Sequence, residues 1–149
     1  MARNDAFMFD EFVQDLYDGI HGDLSGAAIK VMLVDNTLTP AADDATPRYA
    51  DYSANEVSAA GGYTTGGLTL SGVTTSYAGG VLKFDDTGNI SLALDAGGFE
   101  DAYWAIMYND DAAADQAICA IDLGGPVSER TGPFTITWNA SGIFTDTVS

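Results

Sequence analysis

His21 is the only histidine in the chain and Cys119 the only cysteine. A Ser-His-Asp or Cys-His nucleophile would have to draw on that one imidazole. A typical structural zinc site needs several Cys or His ligands, and one of each is too few. His21 sits at the end of a helical pattern, where a cation suits the helix dipole. Cys119 lies inside the apolar run Ala117-Ile118-Cys119-Ala120-Ile121, which predicts a small buried hydrophobe. Carboxylates are the abundant groups, 22 in all, so chance pairs are common. The sharpest enzymatic constellation is Glu100 and Asp101 next to Trp104 and Tyr108. Glycoside hydrolysis uses two acids in an aromatic-lined cleft. The plain alternative is a pair of solvated acids at the mouth of a buried strand. Two clusters, Asp85, Asp86 and Asn89, and Asn109, Asp110 and Asp111, offer the oxygen ligands that calcium takes. Neither has the twelve-residue loop with its closing Glu, and both read as turns. No cofactor or metal is expected, and no catalytic residue.

The element that must hold these groups is the stretch Phe99 to Asn109. From Ala102 on, Tyr103, Ala105 and Met107 point one way at the period of a strand, and Ala102, Trp104, Ile106 and Tyr108 the other. Both faces are apolar, so the strand is expected at the centre of a sheet covered on both sides. Gly97-Gly98 and Asn109-Asp110-Asp111 bound it as turns. Further strands are expected at Ala28–Val34, Leu68–Val73, Val81–Phe84, Ile90–Leu94, Ala117–Leu123, Phe134–Trp138 and Ile143–Val148. Val81–Phe84 is expected to pair with Ile90–Leu94, and Gly124-Gly125-Pro126 to break the chain after Leu123. Gly61-Gly62-Tyr63-Thr64-Thr65-Gly66-Gly67 reads as a turn, not as a phosphate loop, because no Gly-Lys-Ser/Thr closes it. About eight short strands with turns between them predict an all-β, jelly-roll-like antiparallel β-sandwich.

Residues 5–20 carry a helical period. Phe9, Phe12, Val13, Leu16, Tyr17 and Ile20 share one face, and Asp10, Glu11, Gln14, Asp15 and Asp18 take the other. Asn4 or Asp5 would cap it, and Gly19 and Gly22 would end it. The expected domain is single, 1–149, with an amphipathic helix at 5–20 and the sandwich at 28–148. A long loop, 37–60, holds Pro40 and Pro47 and a short helical turn near Ala50–Asn55.

Bulk composition narrows the partners. Hydrophobic residues make up 46% and charged residues 18%, which indicates a globular domain. The formal net charge is −17, and the five cations Arg3, Lys30, Arg48, Lys83 and Arg130 are scattered. A chain that neutralises phosphates needs clustered Lys and Arg, so neither nucleic acid nor an anionic membrane is expected as a partner. No apolar run approaches the roughly 20 residues of a membrane span, and the start lacks an export signal.

The order of several motifs carries a resemblance. Lys30-Val31-Met32-Leu33-Val34-Asp35 is followed by Glu56-Val57, by Gly61-Gly62-Tyr63-Thr64 and by Gly66-Gly67-Leu68-Thr69-Leu70. Then come Val81-Leu82-Lys83-Phe84-Asp85, Ala102-Tyr103-Trp104-Ala105-Ile106-Met107-Tyr108, Gly132-Pro133-Phe134-Thr135-Ile136-Thr137-Trp138 and Gly142-Ile143. From Phe9 to Phe144 the series resembles small structural proteins of tailed bacteriophage virions, including capsid cement and decoration proteins. Such proteins often carry a basic residue where this chain has Ala102. The resemblance implies a non-enzymatic virion component, made in the host cytoplasm. It would bind the outside of the capsid as a homotrimer and bridge and stabilise major capsid protein subunits. The expected contact residues are Phe7, Met8 and Phe9 with Tyr49 and Tyr52, because aromatic side chains are enriched in interface cores. A tail, neck or fibre-base protein is the first alternative, and a carbohydrate-binding module or small glycan hydrolase the second.

Overall fold

The computed structural model describes residues 5–147. The chain begins with strand β1 (Ala6–Met8) and helix α1 (Asp10–Tyr17), followed by β2 (Ile29–Val34). Helix α2 (Tyr49–Tyr52) runs into a 3₁₀ turn at Ser53–Asn55. Then come β3 (Leu68–Thr69), β4 (Val73–Ala78), β5 (Val81–Asp86), β6 (Ile90–Leu92) and β7 (Ala102–Asn109). Three more strands, β8 (Ala117–Val127), β9 (Phe134–Ile136) and β10 (Phe144–Thr147), complete the described chain. The fold is all-β in class, and every strand pairing is antiparallel.

The main sheet has the order β1-β8-β7-β2-β3, which puts β7 in the middle as its two-sided apolar pattern requires. Seven of its eight residues are buried. Register places Val31, Met107 and Cys119 in one row and Met32, Ile106 and Ala120 in the next. Successive rows face opposite sides of the sheet. A three-stranded sheet, β10-β5-β4, and a two-stranded pair, β6-β9, contribute Phe84, Ile90, Phe134 and Ile136 to the same core. Phe84 stacks on Phe144, and Phe144 meets Phe12 of α1 edge to face. A buried Leu, Ile or Phe is worth roughly 1.5–3 kcal/mol over its exposed state, so this shared cluster sets the scale of stability.

Several expectations are corrected. The helix does not span 5–20. Ala6–Met8 is an edge strand paired with Ile121, Ala120 and Cys119, so sheet pairing overrides the helical period there. The N-cap is Phe9, in extended geometry and without a side-chain cap; Asp5 does not cap it, and Asn4 lies outside the described residues. The strand expected at Leu68–Val73 divides into β3 and β4. β5 pairs with β4 and β10 instead of folding back on Ile90–Leu94, and β6 pairs with β9. Gly124-Gly125-Pro126 does not break β8, which runs through it to Val127. β10 pairs with β5 and not with its sequence neighbour β9, so the loop Asn139–Gly142, whose Asn-Ala-Ser-Gly sequence reads as a hairpin turn, joins strands of different sheets. Val148 lies outside the described residues.

The long loop 37–60 forms the expected short helical turn and is tied down. The Asp51 carboxylate accepts the Arg48 N–H at 2.9 Å. Arg48 in turn donates twice to Glu11 of α1, at 2.8 and 3.2 Å. Beyond it, Glu56 organises the glycine-rich turn. Its carboxylate accepts from the hydroxyls of Tyr49 and Tyr63 and from the Gly66 N–H, at 3.1, 2.6 and 2.8 Å. The Tyr63 hydroxyl also accepts the buried Leu33 N–H at 2.9 Å, and Tyr108 donates to the Gly66 carbonyl. Gly67 sits at φ +92, and a Cβ there would lie 2.4 Å from the Val31 carbonyl oxygen. Only glycine permits the turn to close this tightly on β2.

Candidate docking surface

Helix α1 positions the most prominent exposed apolar group of the described chain. Its inward side carries Phe12, 1% exposed, and Asp15, also buried; Phe9, fully buried, precedes it. At 100° per residue, Tyr17 lies about 160° from Asp15 around the axis. Burying Phe12 and Asp15 therefore turns the rest of the apolar arc outward. Val13, Leu16, Tyr17 and Ile20 are 43, 36, 85 and 42% exposed. Val13, Leu16 and Tyr17 fall at i, i+3 and i+4, one stripe along the helix. Ile20 lies just past the helix, which Gly19 at φ +73 ends as expected: Gly19 N–H donates to Leu16 at 3.3 Å and Ile20 N–H to Asp15 at 3.0 Å. The six-residue apolar face read from the helical period thus contributes only Phe9 and Phe12 to the core. The period was visible in the sequence, but the roll of the helix was not, because a buried Asp is a poor signal of an inward face.

His21 holds the base of α1 from below, fully buried. Its Nδ1 lies 3.3 Å from the Asn109 side-chain nitrogen, and its ring meets Phe12 edge to face at 4.9 Å. Asn109 also donates to the His21 carbonyl at 3.1 Å. With Asn109 donating to Nδ1, the proton of the neutral ring sits on Nε2, facing the Asp15 carboxylate at 3.8 Å. That separation would suit an ion pair, yet burial governs. It pushes the imidazole down to about 4, with the Arg48 charge adding to it. Burial, then the Glu11 charge, pushes the Asp15 carboxyl up. His21 is therefore an uncharged packing residue at neutral pH, contrary to the cation expected at a helix end.

The five residues expected to meet a partner divide between core and groove. Phe9 and Tyr52 pack on each other in the core, ring centroids 5.9 Å apart, and leave almost no surface. The Tyr52 hydroxyl donates to Asp44 at 2.8 Å. Tyr49 is half-buried against Tyr108 at 5.0 Å. Phe7 and Met8 line one wall of an apolar groove of about 590 Å³, whose other residues include Cys119, Trp138 and Phe144. Cys119 is buried as expected, and burial pushes its thiol up to about 12.

The remaining constellations resolve into internal contacts. Glu100 pairs with Arg130 at 2.7 Å, while Tyr108 is directed to Gly66, so the acid and the aromatics do not converge on a cleft. Asp85 pairs with Lys83 at 2.7 Å. Asp86 accepts from the Gly72 N–H at 2.7 Å and from the Trp138 indole at 3.1 Å. Asp110 pairs with Lys30, and Asp111 accepts the Ala28 N–H, at 2.7 Å each. Sequence reading missed Glu129, which is buried and accepts the Gly62 N–H at 3.1 Å. Its second oxygen, buried without a hydrogen-bond partner among the described residues, lies 2.5 Å from where a Cβ on either Gly61 or Gly98 would sit, so both positions need glycine. Among the described residues no group of three or more His, Cys, Asp or Glu is placed to hold a metal ion. No described helix is long and apolar enough to cross a membrane. No family model matches the chain, and neither a curated protein nor a solved structure does.

Proposed function

We propose that the chain is a non-enzymatic structural protein of a tailed-bacteriophage virion, a cement or decoration protein bound to the outside of the capsid. The observation that carries this reading is the exposed stripe Val13, Leu16 and Tyr17 on a helix anchored beneath by Phe12 and His21, with exposed Ile20 just past its end. Three large apolar side chains left in solvent on one helix face, with Ile20 beside its end, support a contact surface there. The motif order from Phe9 to Phe144 supplies the class of partner, the major capsid protein. In this reading the sheets form a jelly-roll-like sandwich and the protein assembles as a trimer. Pressure from packaged DNA strains the seams between shell subunits, and each bridging protein adds contacts that must break before the shell opens. Many linked copies reinforce one another, so each contact can be modest. The acidic outer surface keeps particles apart.

Cryo-electron microscopy of the particle that encodes the chain tests this. Density on the outer shell at local or true threefold positions, with α1 against the capsid protein, is the expected result. Density confined to the tail or neck would transfer the chain to that class, and absence from the particle would overturn the virion reading. Removing residues 1–20 is a poor test, because Phe9 and Phe12 belong to the core. A Leu16→Ser, Tyr17→Ser double variant changes the stripe alone and is expected to leave the shells unoccupied.

A further inference from the structure

We propose that the α1 stripe docks into an apolar slot, rimmed by Lys and Arg side chains, on a chain other than its own. The inference rests on reading α1 as the contact face and adds the chemistry of what covers it. The exposed charges nearest to Val13, Leu16, Tyr17 and Ile20 along the chain, Asp10, Asp18 and Asp23, are all negative, and Asp23 and Asp111 line a shallow pocket together with Ile20. No described cation is left to answer them. Lys30 is 2.7 Å from Asp110, Arg48 2.8 Å from Glu11, Lys83 2.7 Å from Asp85 and Arg130 2.7 Å from Glu100. A second copy placed stripe to stripe would set these aspartates against their own counterparts in a chain of net charge −17. Like charges across an interface suppress that pairing, whereas a basic rim is attracted to it. The apolar centre supplies the contact area, and Tyr17 has the aromatic, rotamer-poor side chain that makes a good anchor. Any self-association, including a trimer, therefore uses another face.

The test uses the full-length protein and two synthetic amphipathic helical peptides with the same Leu seam, one flanked by Lys and one by Glu. Binding is read by calorimetry and by amide chemical shifts. The expected result is that the Lys-flanked peptide binds at least about tenfold more tightly than its twin and weakens about tenfold between 50 and 500 mM NaCl. The shifts should map to residues 10–20, and the Leu16→Ser, Tyr17→Ser variant, folded by circular dichroism, should lose the binding. Equal binding of both peptides, binding of neither at 1 mM, or shifts mapping elsewhere would overturn the proposal. Self-association of the wild type that those two substitutions abolish, seen by sedimentation, would make a second copy the occupant and also overturn it. The two readings fail separately. Peptide docking with no chain in the particle removes the virion reading alone, whereas a chain on the shell gripping through another face, with no peptide docking, removes this one alone.

Discussion

At the scale of the residue, His21 links a single side chain to solution conditions. Its folded value near 4 lies below the ordinary 6.5 because burial disfavours the imidazolium. The unfolded chain therefore binds a proton that the folded chain refuses, and stability falls as pH drops from about 6.5 toward about 4. Asp15 acts in the opposite sense: its raised carboxyl takes up a proton in the folded state first and offsets part of the loss at the acid end. Between pH 7 and pH 5 the His21 contribution amounts to about 2 kcal/mol. A His21→Gln variant keeps an acceptor for Asn109 and removes the titration. Urea unfolding of both proteins at pH 7 and pH 5 should show the wild type losing about 2 kcal/mol more than the variant. Parallel losses would mean that His21 is not buried neutral. The sequence located this histidine at the end of a helix but gave the wrong charge state, because neither Phe12 nor Asn109, distant along the chain, announces that it will enclose the ring.

At the scale of the element, the Glu56–Tyr63 pair shows how a loop becomes part of the sheet. The Tyr63 hydroxyl serves Glu56 and Leu33 at once, so Tyr63→Phe removes one acceptor and strands a buried N–H of β2. Leaving such a group unsatisfied costs about 1–3 kcal/mol. Urea unfolding should show a loss in that range, and Leu33 amide exchange should accelerate; a change under about 0.5 kcal/mol would mean the amide finds another partner. β7 was legible because its alternation leaves both faces apolar, as a covered central strand requires, and Ala117–Leu123 because it opens on the apolar run Ala117–Ile121. α2 was legible through its tyrosines and neighbouring breakers. What escaped was non-local. Nothing near Ala6–Met8 announces that β8 will claim it as an edge strand. Nothing near Ile143 says that β10 will cross to β5, since strand partners are chosen by long-range packing and not by neighbouring residues. The exposed face of α1 was half legible for the same reason. The stripe was written at helical spacing, but the side of α1 that turns inward is decided by His21 just beyond the helix and by Phe144 and Arg48, which are distant in sequence.

At the scale of the whole molecule, charge decides how the fold responds to salt. With 22 acids against 5 cations, and four of those cations committed to ion pairs, the surface carries a large uncompensated negative field. Two effects compete as salt rises. Screening weakens the four ion pairs, each partly exposed and worth at most about 1 kcal/mol. Screening also weakens repulsion among the unpaired acids, which acts over longer distances and between many more pairs. The Debye length falls from about 20 Å at 20 mM salt to about 4 Å at 500 mM. Interactions across tens of ångströms therefore vanish, while contacts at 2.7–2.8 Å are only softened. Repulsion should win, and the folded chain should gain about 1–2 kcal/mol between those salt concentrations. For a chain of this size that corresponds to a rise in thermal midpoint of roughly 3–8 °C in NaCl. Calorimetry across a NaCl series measures it directly. A midpoint that falls with salt would show that the ion pairs dominate, and would remove the basis for treating the acids around α1 as an unanswered field. A midpoint that rises would establish the uncompensated negative field, and the proposed docking to a basic partner would then be strongest at low salt, where the isolated fold is weakest.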